Sequence, residues 1–147
     1  MYKNLLVPID GSELTERAIE ASVGLARQLG AQITGYVAEP VMQLPTSPRP
    51  RAWFEQELRD HEAMTESHAR EVLSRFEAQA RQAGVAFDGV FDRSPRVDKA
   101  IIEAAEARGC DMIVMVTHGR GAFGEFLFGS QTKAVLANSR LPLLVLH

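Results

Sequence analysis

Asn4-Leu5-Leu6-Val7-Pro8-Ile9 runs straight into Asp10-Gly11-Ser12, and the reading of this stretch decides the fold. An unbroken apolar run closed by turn-forming residues suits a strand buried on both faces, as in a parallel sheet. From Glu13 the period changes. Leu14, Ala18, Ala21, Leu25 and Leu29 recur three to four apart, which makes one helical stripe, and Gly30 stands where a helix stop belongs. Residues 32–38 then read as a second strand.

Working outward, residues 39–50 hold Pro40, Pro45, Pro48 and Pro50, which excludes regular structure and marks a surface loop. A long helix is expected over 52–83, with Phe54, Leu58, Val72 and Phe76 able to share a face. Glu-to-Arg pairs four apart recur at 55/59, 66/70, 71/75 and 77/81. Such pairs contribute about a few tenths of a kcal/mol each and mark a solvated face. Gly84 ends this helix, and 85–91 reads as a third strand. Val97, Ala100, Ile101, Ala104 and Ala105 mark a third amphipathic helix closed at Gly109. Asp111-Met112-Ile113-Val114-Met115-Val116 is the most apolar run of the chain and reads as a central strand. A loop over 117–129 carries Gly119, Gly121, Gly124 and Gly129. A short helix follows from Ser130, and 142–146 is the last strand, with Pro142 at the first position, where a strand tolerates proline. Strands alternating with helices demand crossover connections. The expected architecture is therefore α/β: one domain over 1–147, an open, mostly parallel five-stranded sheet with helices on both faces, Rossmann-like.

A chain of 147 residues suits a single domain that needs no staples, since this size buries roughly 68–70% of the unfolded surface. The net charge of -3 argues against nucleic acid or an anionic membrane as partner. Cys110 is alone, so no intrachain disulfide can form and a reducing compartment is the simpler reading. The short opening apolar run does not resemble a signal peptide, and no stretch approaches the ~20 apolar residues of a membrane helix. The expectation is a soluble, cytoplasmic protein.

Open α/β sheets bind ligands beyond the carboxyl ends of their strands, where the strand order reverses. That rule selects residues 8–12 and 116–130. Gly129-Ser130 directly precedes a helical segment whose free N–H groups and positive dipole end accept an anion. Gly119, ten residues earlier, lets the backbone turn close to a phosphate. Ser130 and Thr132 add hydroxyl donors, and Arg120 and Lys133 are cations nearby. The alternative is a loop whose glycines only turn the chain, with Ser130 as an N-cap. Spacing alone leaves these two readings balanced. Asp10 can orient a ribose hydroxyl or hold a divalent cation such as Mg²⁺, or else form an Asx-turn or helix cap. The neighbouring loop favours the site role.

Other candidates carry less. His118 lies in the loop and reads as a turn histidine. His61 and His68 lie seven apart on the long helix, with no Cys or carboxylate spacing to make a zinc site. Cys110 precedes a buried strand and reads as an inert thiol. Phe123, Phe126, Leu127 and Phe128 form an apolar patch, a pattern typical of core packing or subunit contact.

Leu5-Leu6-Val7-Pro8-Ile9-Asp10-Gly11-Ser12 resembles the opening strand of universal stress proteins. The run from Cys110 to Met115, then Thr117-His118-Gly119-Arg120-Gly121, resembles their fourth strand and nucleotide loop. Gly129-Ser130 and Pro142-Leu143-Leu144-Val145 match in order and spacing. The likeness spans the chain except for the proline-rich loop and the long charged helix. In the family's ATP-binding branch the loop reads Gly-x2-Gly-x9-Gly-(Ser/Thr). Here Gly119, nine intervening residues and Gly129-Ser130 keep the last two glycines, while Val116 stands at the first. The resemblance implies Pro8, Ile9, Asp10 and Val37 around the base and ribose, and Ser130, Gln131 and Thr132 on the phosphates, with Val116, Gly119, Arg120 and Gly129 framing the loop. It implies ATP with Mg²⁺ at Asp10, a homodimer through the strand Leu143–Leu146, and a regulatory role in stress response. The alternative is a dimeric interaction module in which Val116 has closed the pocket. A dedicated enzyme is disfavoured, with slow ATP hydrolysis the most to be expected. The chain has no Walker lysine motif, no His-x-Gly-His and no evident general base beside the loop.

Overall fold

Each apolar run of the chain becomes a parallel strand, and each 3.6-periodic stretch becomes the helix that crosses back over the sheet. The computed structural model describes residues 1–39, 41–117 and 129–147. In chain order the elements are β1 (Asn4–Pro8), α1 (Thr15–Leu29), β2 (Gln32–Glu39), α2 (Arg51–Gln82), β3 (Phe87–Arg93), α3 (Val97–Ala107), β4 (Met112–Val116), α4 (Ser130–Asn138) and β5 (Leu143–Leu146). The sheet runs β3-β2-β1-β4-β5 and every pairing is parallel. The single-domain α/β architecture read from the sequence is the one found.

Right-handed crossovers sort the helices by direction of travel. The chain moves outward from β1 to β3, then returns to β4 and moves outward the other way. This places α1 and α2 on one face and α3 and α4 on the other. One core accordingly joins Leu5, Val7, Ile33, Val37 and Val114 to Ile19, Val23, Val72 and Phe76. The other joins Leu6, Tyr36, Ile113 and Met115 to Ile101, Ala104 and Val135. Alternate residues of one strand feed opposite cores, which is why β1 and β4 are apolar without a break.

The observed β3 starts two residues later than 85, the expected start. Gly84 takes φ 73°, and the Val85 N–H turns back to the Ala80 carbonyl at 2.9 Å, so Val85 closes the helix instead of opening the strand. The same closure recurs at Gly30 and Gly109, with Ala31 bonding Ala26 and Cys110 bonding Ala105. Residues 41–50 form no helix or strand, as their prolines require.

Helix α2 is buried only from Thr65 onward. Its buried residues are Thr65, Ala69, Val72, Phe76 and Ala80, whereas Phe54 and Leu58 are half-buried. Of the expected charge pairs on this helix, Glu66–Arg70 and Glu77–Arg81 form at 2.7 and 2.9 Å. Arg75 instead reaches Glu16 on α1 at 2.6 Å, and Glu55 pairs with Arg51. A tertiary partner in reach displaces the local one.

Candidate functional site

Strand order reverses between β1 and β4, and there the ends of the two strands separate. A cleft of about 430 Å³ opens at that point. Pro8, Ile9 and Asp10 form its β1 side, Val116 its β4 side, and Gly129, Ser130, Gln131 and Thr132 one end. Eight of the eleven residues singled out from the sequence are thus brought together. Gly119 and Arg120 lie outside the described residues, as do His118 and the Phe123–Phe128 patch.

Val37 is placed differently. Its side chain is fully buried in the core shared with α1 and α2, and β2 lines the cleft with Tyr36 and Ala38 instead. The cause is the two-residue period of a strand, which turns neighbours to opposite faces. Tyr36, Ala38, Val97, Ile101, Met115 and Thr15 line the cleft without having been singled out. The alternation around Val37 was the available signal for the two β2 residues. Nothing local marks Val97 or Ile101, which arrive from a helix sixty residues away in sequence on the strength of topology alone.

At the α4 end, the first intrahelical bond runs from Lys133 N to Gly129 O at 3.1 Å. The N–H groups of Ser130, Gln131 and Thr132 therefore have no intrahelical acceptor, and Gly129 supplies no side-chain cap. A Cβ added at Gly129 would meet no atom of the described residues within 4 Å. Such an end accepts an anion through its N–H groups and dipole.

Asp10 is exposed, and its Oδ1 accepts the Ser12 N–H at 2.9 Å, so it forms the Asx-turn and faces the cleft together. The two readings of this residue do not compete, because a carboxylate has lone pairs left after accepting one bond. Among the described residues no group of three His, Cys, Asp or Glu side chains converges on a metal position. A lone carboxylate suits Mg²⁺, which keeps its waters and takes its remaining ligands from phosphate oxygens.

Two residues of the cleft wall each carry a buried polar atom with no well-formed hydrogen bond among the described residues: Thr15 Oγ1 and the Tyr36 hydroxyl. Burial, then the charge of the neighbouring Asp92 carboxylate and the hydrogen-bonding interaction with it, and last the charge of Glu103, hold the Tyr36 phenol far above its ordinary value, so it stays a neutral O–H. Cys110 is buried, and that burial pushes its thiol up, as expected of an unreactive cysteine. No helix among the described residues is long and apolar enough to cross a membrane.

The model of the universal stress protein family matches residues 1–147. A universal stress protein of Thermus aquaticus is 32% identical over 148 residues, covering all of both chains. Among solved structures, the universal stress protein UspA of Lactobacillus plantarum superposes with a TM-score of 0.79 at 19% identity, covering 99% of this chain and 98% of that one. The Archaeoglobus fulgidus universal stress protein in complex with dAMP gives 0.66 at 20% identity, over 99% and 98%. At such identities the structural likeness establishes the fold, while the whole-chain sequence match establishes kinship. The protein belongs to the universal stress protein family.

Proposed function

We propose that the protein is a stress-response regulator that binds an adenine nucleotide, ATP with Mg²⁺, in the cleft between β1 and β4. The observation that carries this reading is the meeting of Asp10 and the uncapped α4 terminus across one open cleft with apolar walls. The Archaeoglobus relative holds an adenine nucleotide on the same fold. Pro8, Ile9 and the β2 end around Val37 would form the base and ribose end. Gly129, Ser130, Gln131 and Thr132 would take the phosphates, with Gly119 and Arg120 in the preceding loop. Asp10 would hold a ribose hydroxyl or a Mg²⁺-bound water.

The regulator works in the cytoplasm as a homodimer through Leu143–Leu146, and its output is a change of partners on nucleotide binding. Val116 carries the second reading. Its half-buried side chain lines the cleft where the ATP-binding pattern has glycine, and full closure there would leave an interaction module without nucleotide. Titration calorimetry with ATP and Mg²⁺ separates the two. The expected result is saturable binding at micromolar Kd or weaker, about -8 kcal/mol or less in magnitude, lost or weakened in Asp10→Ala and retained in Cys110→Ala. Heat indistinguishable from buffer at millimolar ATP overturns the nucleotide reading and leaves the interaction module.

A further inference from the structure

The turn that carries Asp10 into the cleft does not stand alone. Gly11 takes φ 79°, and a Cβ added there would overlap Nε2 of His68 and lie 2.8 Å from its Cε1 and 3.1 Å from Val72 Cγ2. Helix α2 therefore rests directly on the backbone of the Asp10-Gly11-Ser12 turn, with the imidazole of His68 as the contact.

That ring is held from its other side. Nδ1 of His68 is 2.6 Å from Oε1 of Glu39, the last residue of β2. The Glu39 side chain is only 12% exposed, so its carboxylate has little water to exchange the partner for. The Glu39 carbonyl also accepts the Ser94 N–H at 3.1 Å, and Arg93 donates to the Glu62 carbonyl of α2 at 2.7 Å, which ties the ends of β2 and β3 to the middle of α2. His68 sits on the turn of α2 where the helix first meets the body of the domain, just past the buried Thr65. One imidazole thus links a fixed carboxylate on β2 to the turn after β1, and both strand ends border the cleft.

We propose that His68, oriented by Glu39, is a positioning residue that holds the Asp10 turn in its ligand-ready conformation. His68 is not itself among the residues lining the cleft. It acts through Asp10, and in this it rests on the assignment of Asp10 to the ligand made above. The structural consequence does not depend on that assignment. Removal of the ring leaves the Gly11 backbone without its support, so the Asp10 Oδ1 to Ser12 N–H bond opens more often.

The test uses the full chain as wild type, His68→Ala and Glu39→Gln. NMR amide exchange reads the turn directly. Ser12 N–H should exchange about ten times faster in His68→Ala and to an intermediate extent in Glu39→Gln, with the β1 amides of Leu5 and Leu6 unchanged as the sign of an intact sheet. Calorimetry with ATP reads the consequence: His68→Ala should weaken binding about five- to tenfold, and by less than twofold when Asp10 is already Ala, because the two act in series. Unchanged Ser12 exchange in both variants overturns the proposal, as does equal weakening with and without Asp10. Absence of ATP binding by the wild type sinks the nucleotide reading alone, since faster Ser12 exchange would still establish the clamp.

Discussion

Replacing Val116 by glycine separates what that side chain does for the strand from what it does to the cleft. Val116 ends β4 opposite Leu146 of β5 and is half-buried. It shares its face with Met112 and Val114, packing toward the α1 side, where Leu14, Thr15 and Ala18 form the adjoining wall of the cleft. The branched carbons therefore border both core and cleft. Removing three carbons at half burial costs about 1.2 kcal/mol, taking ~0.8 kcal/mol per fully buried methylene. Glycine in a strand adds roughly 0.5–1 kcal/mol through backbone entropy. The sum, about 2 kcal/mol, corresponds in a domain of this size to a fall in Tm of roughly 4–8 °C. The space released toward the ligand works in the opposite direction on binding. Relief of a mild packing clash is worth about 1 kcal/mol, or roughly a fivefold tightening for ATP. Differential scanning fluorimetry and calorimetry on the two proteins in parallel read both effects. A lower Tm with unchanged or weaker ATP affinity would refute the gate: the methyls then belong to the core alone, and the missing glycine is immaterial to binding.

Tyr36→Phe should leave the unliganded protein as stable or raise its Tm by roughly 2–4 °C, because it deletes a buried hydroxyl with no well-formed hydrogen bond among the described residues. A fall of several degrees in a thermal melt would show that the hydroxyl is bonded. In gel filtration with light scattering the protein should run at about twice 16.2 kDa at micromolar concentration. The ground is β5, an edge strand of four apolar residues, each only half-buried. A clean monomer would remove the edge-pairing argument.

The sequence by itself determined the order and kind of the elements, because apolar period is a local property. The unbroken run from Asn4 and the run from Asp111 suit buried parallel strands, and the stripe from Leu14 to Leu29 suits a helix with one face inward. The switch point between β1 and β4 selected Pro8, Ile9, Asp10, Val116, Gly129 and Ser130, the hydroxyl of Thr132 was added from the helix start and Gln131 from the family resemblance, and all of them line the cleft. Tertiary structure alone decided the rest. Whether a strand residue faces the cleft depends on which face its neighbours cover, so Tyr36 and Ala38 line it and Val37 does not. The pairing of Arg75 with Glu16 and of His68 with Glu39 joins residues 59 and 29 positions apart. No spacing rule reaches such pairs, because they exist only where the crossovers lay α2 against α1 and against the ends of β1 and β2. Gly11 shows the two levels meeting: its residue type announces a turn, but only the packed helix above it explains why no side chain fits there.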